Sequence, residues 1–129
     1  MEIPPNPFQK LRALWRKEQF SAALAYVESL LGANRDCPYL WTARGDLIQL
    51  AEPEPADRLP LKEAARAYQQ ALKLNPTDLE ALESLAHFYD AVDPKPRLAL
   101  RYARRYMELS KDRLDAVVRI VNEAANAES

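Results

Sequence analysis

His87 is the single histidine of this 129-residue chain, and two carboxylates stand within helical reach of it: Glu83, four positions back, and Asp90, three positions on. On a helix these three share neighbouring surface, where one imidazole and two acids could hold a divalent metal or pass a proton. The same spacing arises on any polar helix face, so a solvated surface is the expectation. Cys37 is the single cysteine; it can form no internal disulfide, and its place in a predicted turn gives no metal-ligand spacing. No Gly-rich phosphate loop, nucleophile elbow or Cys-x-x-Cys motif occurs. The chain is expected to be noncatalytic, with no cofactor and no metal.

The elements that position His87 are written in the run from Leu61 to Tyr89, LKEAARAYQQALKLNPTDLEALESLAHFY. Ala64, Tyr68, Ala71 and Leu72 recur at helical spacing. After Asn75-Pro76, Leu82, Leu85, Ala86 and Tyr89 do so again. Two amphipathic helices meeting at a tight turn follow. Thr77 and Glu80 have the spacing of a capping box, which predicts Thr77 as the N-cap of the second helix. Alanine at 64, 71 and 86 lets backbones approach at the short end of roughly 8–10 Å, with Tyr68 and Tyr89 filling the space beside them.

These residues and offsets resemble the tetratricopeptide repeat, a helix-turn-helix unit of about 34 residues. With Pro76 as the repeat's terminal proline, Ala64, Tyr68 and Ala71 fall on second-helix positions, and Trp41, Gly45 and Ile48 on first-helix positions of the same unit. Phe8, Leu11 and Trp15, then Phe20, Ala23, Val27 and Leu30, make an earlier unit, one residue short between its helices and carrying Arg12 where a small residue is usual. Ala99, Ala103 and Leu109 make a later second helix, with Tyr106 in place of alanine and Lys111 in place of proline. The resemblance implies a single all-α domain, an α-α superhelix or solenoid. Its three repeats span approximately residues 5–37, 38–78 and 79–111, and a capping helix follows over 112–126. That last helix would use the stripe Leu114, Val117, Val118, Val121 and Ala124 to cover the final open face.

Composition agrees. Hydrophobic residues make up 48% and charged residues 29% of the chain, as in an ordinary globular protein. Gly32 follows a periodic run and reads as a C-cap. Pro7, Pro38, Pro60 and Pro94 sit near predicted helix starts, where a missing N–H costs little. No apolar run approaches the length of about 18 residues needed to cross a membrane, and Met1 to Pro7 lacks the pattern of a secretory signal. A cytoplasmic location is expected. Net charge is −1, which argues for neither nucleic acid nor membrane as partner.

The resemblance further implies that first helices line a concave groove that holds a peptide or helix of a partner protein. Groove candidates are Gln9, Lys10, Ala13 and Lys17, then Tyr39, Thr42, Asp46 and Gln49, then Glu80, Glu83, His87 and Asp90. The last eight are the expected partner-binding residues. Their charge makes the C-terminal half of the groove acidic and suits a ligand of basic character. Members of the family that clamp a C-terminal carboxylate use lysine, asparagine and arginine; the matching positions here carry Gln9, Ala13, Ala43, Glu80 and Ser84, so that mode is not expected. The function implied is an adaptor or chaperone-like module. The alternative is a structural self-associating module, a possible homodimer with no separate peptide ligand, in which the groove or the open end of the array takes an identical chain; an uncovered apolar patch around Phe8, Trp15 and Phe20 would favour it.

Two features stand outside the repeat. Residues 51–60, AEPEPADRLP, lengthen one turn by about seven residues relative to the family, and read as a tolerated loop or as a contact arm beside the groove. Arg97, Arg101 and Arg105 recur every four residues with Arg104 beside them. They read as a balanced, solvated face or as a site for an acidic protein surface.

Overall fold

The computed structural model describes residues 6–128. Among these there are six α-helices and no strand. The chain divides into two compact units, Met1–Pro76 and Thr77–Ser129. The expected first repeat opens at residue 5, outside the described residues.

The first unit holds α1 (Pro7–Arg16), α2 (Phe20–Ala33), α3 (Pro38–Leu50) and α4 (Lys62–Leu74), each packed on the next in sequence. Pro7 and Pro38 occupy the first turns of α1 and α3, and the Asn6 side chain caps α1 by accepting from the Phe8 N–H at 2.9 Å. The α1–α2 turn is closed by the Gln19 N–H donating to the Leu14 carbonyl and the Glu18 N–H to the Trp15 carbonyl, both at 3.0 Å. To make it, Glu18 takes φ of 56°, the left-handed region that disfavours a Cβ. This tight turn is the physical form of the residue missing between the two helices. Leu11, Ala23, Val27, Leu31, Leu40, Ala43 and Leu47 form the core between α1, α2 and α3. The Trp41 indole N–H donates to the Arg35 carbonyl at 2.8 Å, and Arg44 pairs with Glu28 of α2 at 3.6 Å.

The α3–α4 contact is the tightest in the unit. Ala64, Ala67 and Ala71 are buried on α4, and Tyr68 between them is 1% exposed. A Cβ placed on Gly45 would come within 2.5 Å of the Tyr68 ring. Glycine at 45 is therefore what lets the tyrosine lie flat against α3. Gly32, by contrast, lies inside α2; the C-cap is Asn34, whose side-chain amide donates to the Leu30 carbonyl at 2.8 Å. The reading of Gly32 as a cap is corrected on that geometry. Residues 51–61 contain one 3-10 turn, Pro55–Asp57, and Pro53, Arg58 and Leu59 lie over Leu24 and Glu28 of α2, around a depression of about 270 Å³.

The second unit holds α5 (Leu79–His87), a π-helical turn (Phe88–Val92) and α6 (Pro96–Glu128) packed on α5. The cap of α5 is Asp78, whose carboxylate accepts from the Ala81 N–H at 3.2 Å. This replaces the expected cap at Thr77. An ionised acid one residue later competes better for the N-terminal dipole than a hydroxyl does. In the π turn the Asp93 N–H reaches back five residues to the Phe88 carbonyl at 2.9 Å. Tyr89 there stacks on Tyr102 of α6 with centroids 6.0 Å apart and planes 13° from parallel.

The expected break before Asp112 is absent. One helix of 33 residues runs from Pro96 to Glu128, because nothing between Arg97 and Glu128 stops it. No glycine or proline occurs there, and Lys111 stands where the repeat would end in proline. Residues 112–126 thus continue α6 instead of turning back as a separate cap, and from Lys111 to Glu128 every residue is exposed.

Candidate functional site

Each unit presents part of the expected binding row, and the two parts differ in character. In the first unit the row lies on α3. Tyr39 is 44% exposed and meets the Phe8 ring edge-on at 5.3 Å. Thr42 is 4% exposed, with its hydroxyl oxygen buried, so its side chain is turned inward. Asp46 and Gln49 converge on one group: the Tyr68 hydroxyl donates to the Asp46 carboxylate at 2.6 Å and accepts from the Gln49 amide at 2.7 Å. A buried phenol needs such partners. These two residues therefore staple α3 to α4, and their side chains are held in fixed orientations at the rim of the unit.

In the second unit the row lies on α5 and the turn after it. Glu80, Glu83, His87 and Asp90 are all exposed. Helical spacing brings Glu83 and His87 to 3.8 Å, with the imidazole side chain 76% exposed. Glu80 and Asp90 make no ion pair among the described residues. The result is three carboxylates and one imidazole open to water on successive turns. Among the described residues, no group of three or more His, Cys, Asp or Glu side chains is arranged to hold a metal ion. Cys37 is a free thiol, half-buried at the N-cap of α3.

The arginine stripe lies in the second unit. Arg97, Arg101, Arg104 and Arg105 surround a shallow depression of about 550 Å³ whose apolar lining includes Leu82 and Leu100. Arg105 reaches Glu108 at 3.5 Å. Beyond it, Arg113 donates to the Thr77 carbonyl at 3.2 Å, and no later side chain of α6 is buried.

Two features escaped the sequence reading. The dual bond to the Tyr68 hydroxyl was hidden because repeat spacing assigns Tyr68 to packing and says nothing of its oxygen. The bare stripe on the second half of α6 was read as the inner face of a cap. Its signal was Lys111, which removes the stop that a cap requires.

No family model matches the chain, and no curated protein matches it in sequence. Among solved structures, the chain is similar to the MamA RS-1 ArsTM double mutant, with a TM-score of 0.70 at 18% sequence identity; the match covers 83% of this chain and 56% of that one. The chain thus spans little more than half the length of that neighbour. MamA is a TPR-like all-α solenoid. On this likeness and its own helix pairs, the chain has the fold of a TPR-like helical repeat.

Proposed function

We propose that the chain is a noncatalytic protein-interaction module, an adaptor or chaperone-like domain of the cytoplasm. It takes up a peptide or helix of basic character on the faces of its first helices. The observation that carries this reading is the row on α5: Glu80, Glu83, His87 and Asp90 are exposed on successive turns, joined only by the weak Glu83–His87 pair. Such open carboxylates give orientation and on-rate to a basic ligand more than raw affinity. On α3, Tyr39 offers an exposed aromatic anchor, while Asp46 and Gln49 offer polar groups already oriented by Tyr68. Thr42 supports the face from within.

The test is charge reversal of exposed residues whose one ion pair is the weak Glu83–His87 contact. A Glu80→Lys, Glu83→Lys, Asp90→Lys variant keeps the buried side of α5. It is expected to lose the partners that the parent chain captures, while circular dichroism remains unchanged. Capture of the same partners by both would refute an acidic docking face. The self-association reading would draw on Phe8, Trp15 and Phe20, which are partly buried against the first unit's core. Light scattering across a concentration series decides it, and a mass that rises with concentration would favour it.

A further inference from the structure

The outer side of α6 combines two things that a solitary helix does not need. The first is an apolar seam. Leu100, Met107, Leu114 and Val121 fall every seven residues, with Val118 beside the last two, and all five are 46–68% exposed. A seven-residue spacing drifts by only about 20° per heptad on a straight helix, so these side chains form one continuous stripe. From Leu100 to Val121 it is roughly 30 Å long. The second is a basic border. Arg97 and Arg104 are the i−3 and i+4 neighbours of Leu100, and Lys111 is the i+4 neighbour of Met107, so each flanks the seam. Arg101 and Arg105 lie farther round. Of the four arginines, only Arg105 has a carboxylate within 4.0 Å among the described residues.

Like charges gathered on two turns oppose each other, and the acids of α6 do not offset them. Glu108 serves Arg105, while Asp112, Asp115, Glu123 and Glu128 come after the arginine run has ended. Negative charge supplied by a ligand would relieve that repulsion. A second copy of the chain does not bring it. Two α6 helices paired antiparallel so that Leu100 meets Val121 and Met107 meets Leu114 would set Lys111 beside its own mate. The same pairing places Arg97 and Arg104 opposite Ala124 and Val117. Parallel pairing would place every arginine against its equivalent.

We infer that this side of α6 is a docking surface for an acidic amphipathic helix of a partner protein. The apolar stripe of that helix would lie along Leu100, Met107, Leu114, Val118 and Val121, and its carboxylates would sit against Arg97, Arg101 and Arg104. The mode is helix-to-helix packing with apolar anchors at heptad spacing. The basic border selects an acidic partner and fixes its direction. The surface lies on α6, whereas the acidic row lies on α5, and it asks for the opposite charge.

The test uses the full chain and a labelled helical peptide of roughly 20 residues, with leucine at heptad spacing and glutamate on both flanks. Fluorescence anisotropy is expected to show saturable binding that weakens as salt is raised. A peptide with lysine in place of every glutamate is expected to bind at least about tenfold more weakly, and this comparison needs no variant of the protein. An Arg97→Glu, Arg101→Glu, Arg104→Glu variant and a Leu114→Asp, Val121→Asp variant are each expected to lose the acidic peptide. Helicity by circular dichroism serves as the folding control. Absence of saturable binding, or equal binding of both peptides, would overturn the inference. So would binding of a single-stranded oligonucleotide that depends on the arginines and ignores Leu114 and Val121, or a stable dimer that the aspartate variant dissolves.

Discussion

Replacing Gly45 by alanine tests the packing of the first unit most directly, because two opposing terms can be weighed. In an exposed helix interior the change stabilises by about 1 kcal/mol through helix propensity. Here the new Cβ would stand 2.5, 2.7 and 2.8 Å from three atoms of the Tyr68 ring. That ring cannot slide away, because its hydroxyl is held by Asp46 at 2.6 Å and Gln49 at 2.7 Å. Overpacking costs about 1–3 kcal/mol, and loosening the two hydrogen bonds adds about 1 kcal/mol each. Set against the propensity gain, the expected net loss is roughly 2–4 kcal/mol. For a unit of this size each kcal/mol lowers the melting temperature by about 4–8 °C. Thermal and urea unfolding of the single variant, of Tyr68→Ala and of the double variant supply the assay. With the ring gone, Gly45→Ala should cost nothing or stabilise slightly, so the double variant should be no worse than Tyr68→Ala alone. A Gly45→Ala chain as stable as the parent, or an additive double variant, would refute the assigned role of the glycine.

Two further perturbations test the turns. Glu18→Gly relieves a left-handed residue in the α1–α2 connection, and is expected to stabilise by roughly 0.5–1 kcal/mol after the entropic cost of glycine; a loss in urea unfolding would contradict the turn geometry. Asp78→Ala removes the cap of α5 and is expected to cost about 1 kcal/mol; unchanged stability in urea unfolding would contradict the assignment of the cap to Asp78.

The helix pairs were legible in the sequence because Ala64, Tyr68 and Ala71, and again Leu82, Leu85 and Tyr89, keep a spacing that only one face of a helix satisfies. Gly45 was legible as a repeat position, although its reason, the approach of the Tyr68 ring, appears only in three dimensions. Boundaries were harder. Thr77 and Asp78 are adjacent capping residues, and spacing alone does not choose between them. The capping helix was expected from the apolar stripe after Asp112, but a stripe states which face wants cover and not whether the chain turns back to provide it. Of the eight residues expected to meet a partner, Glu80, Glu83, His87 and Asp90 are exposed on α5 and the turn after it. Thr42 is turned inward, since one step of three residues from an exposed Tyr39 reaches the edge of the buried face of α3. The partnership of Asp46 and Gln49 depends on α4, which local periodicity does not see.

The length of α6 has an energetic consequence. An isolated helix in water is limited by the cost of its first turn, and residues 111–128 avoid that cost because the packed residues before them have already nucleated the helix. What remains is propagation alone, through a segment that contains four β-branched residues, Val117, Val118, Ile120 and Val121, each a little less favourable than alanine. The balance per residue is therefore close to zero, and beyond Arg113, whose side chain still donates to the Thr77 carbonyl, the helix can unwind and rewind without disturbing α5. A partner laid along it would meet a template that is already started, so the ordering entropy charged to binding is smaller than for a segment that must nucleate on contact. The second half of α6 is in this sense a helix held in reserve, with its beginning fixed by the fold and its end left for an encounter to decide.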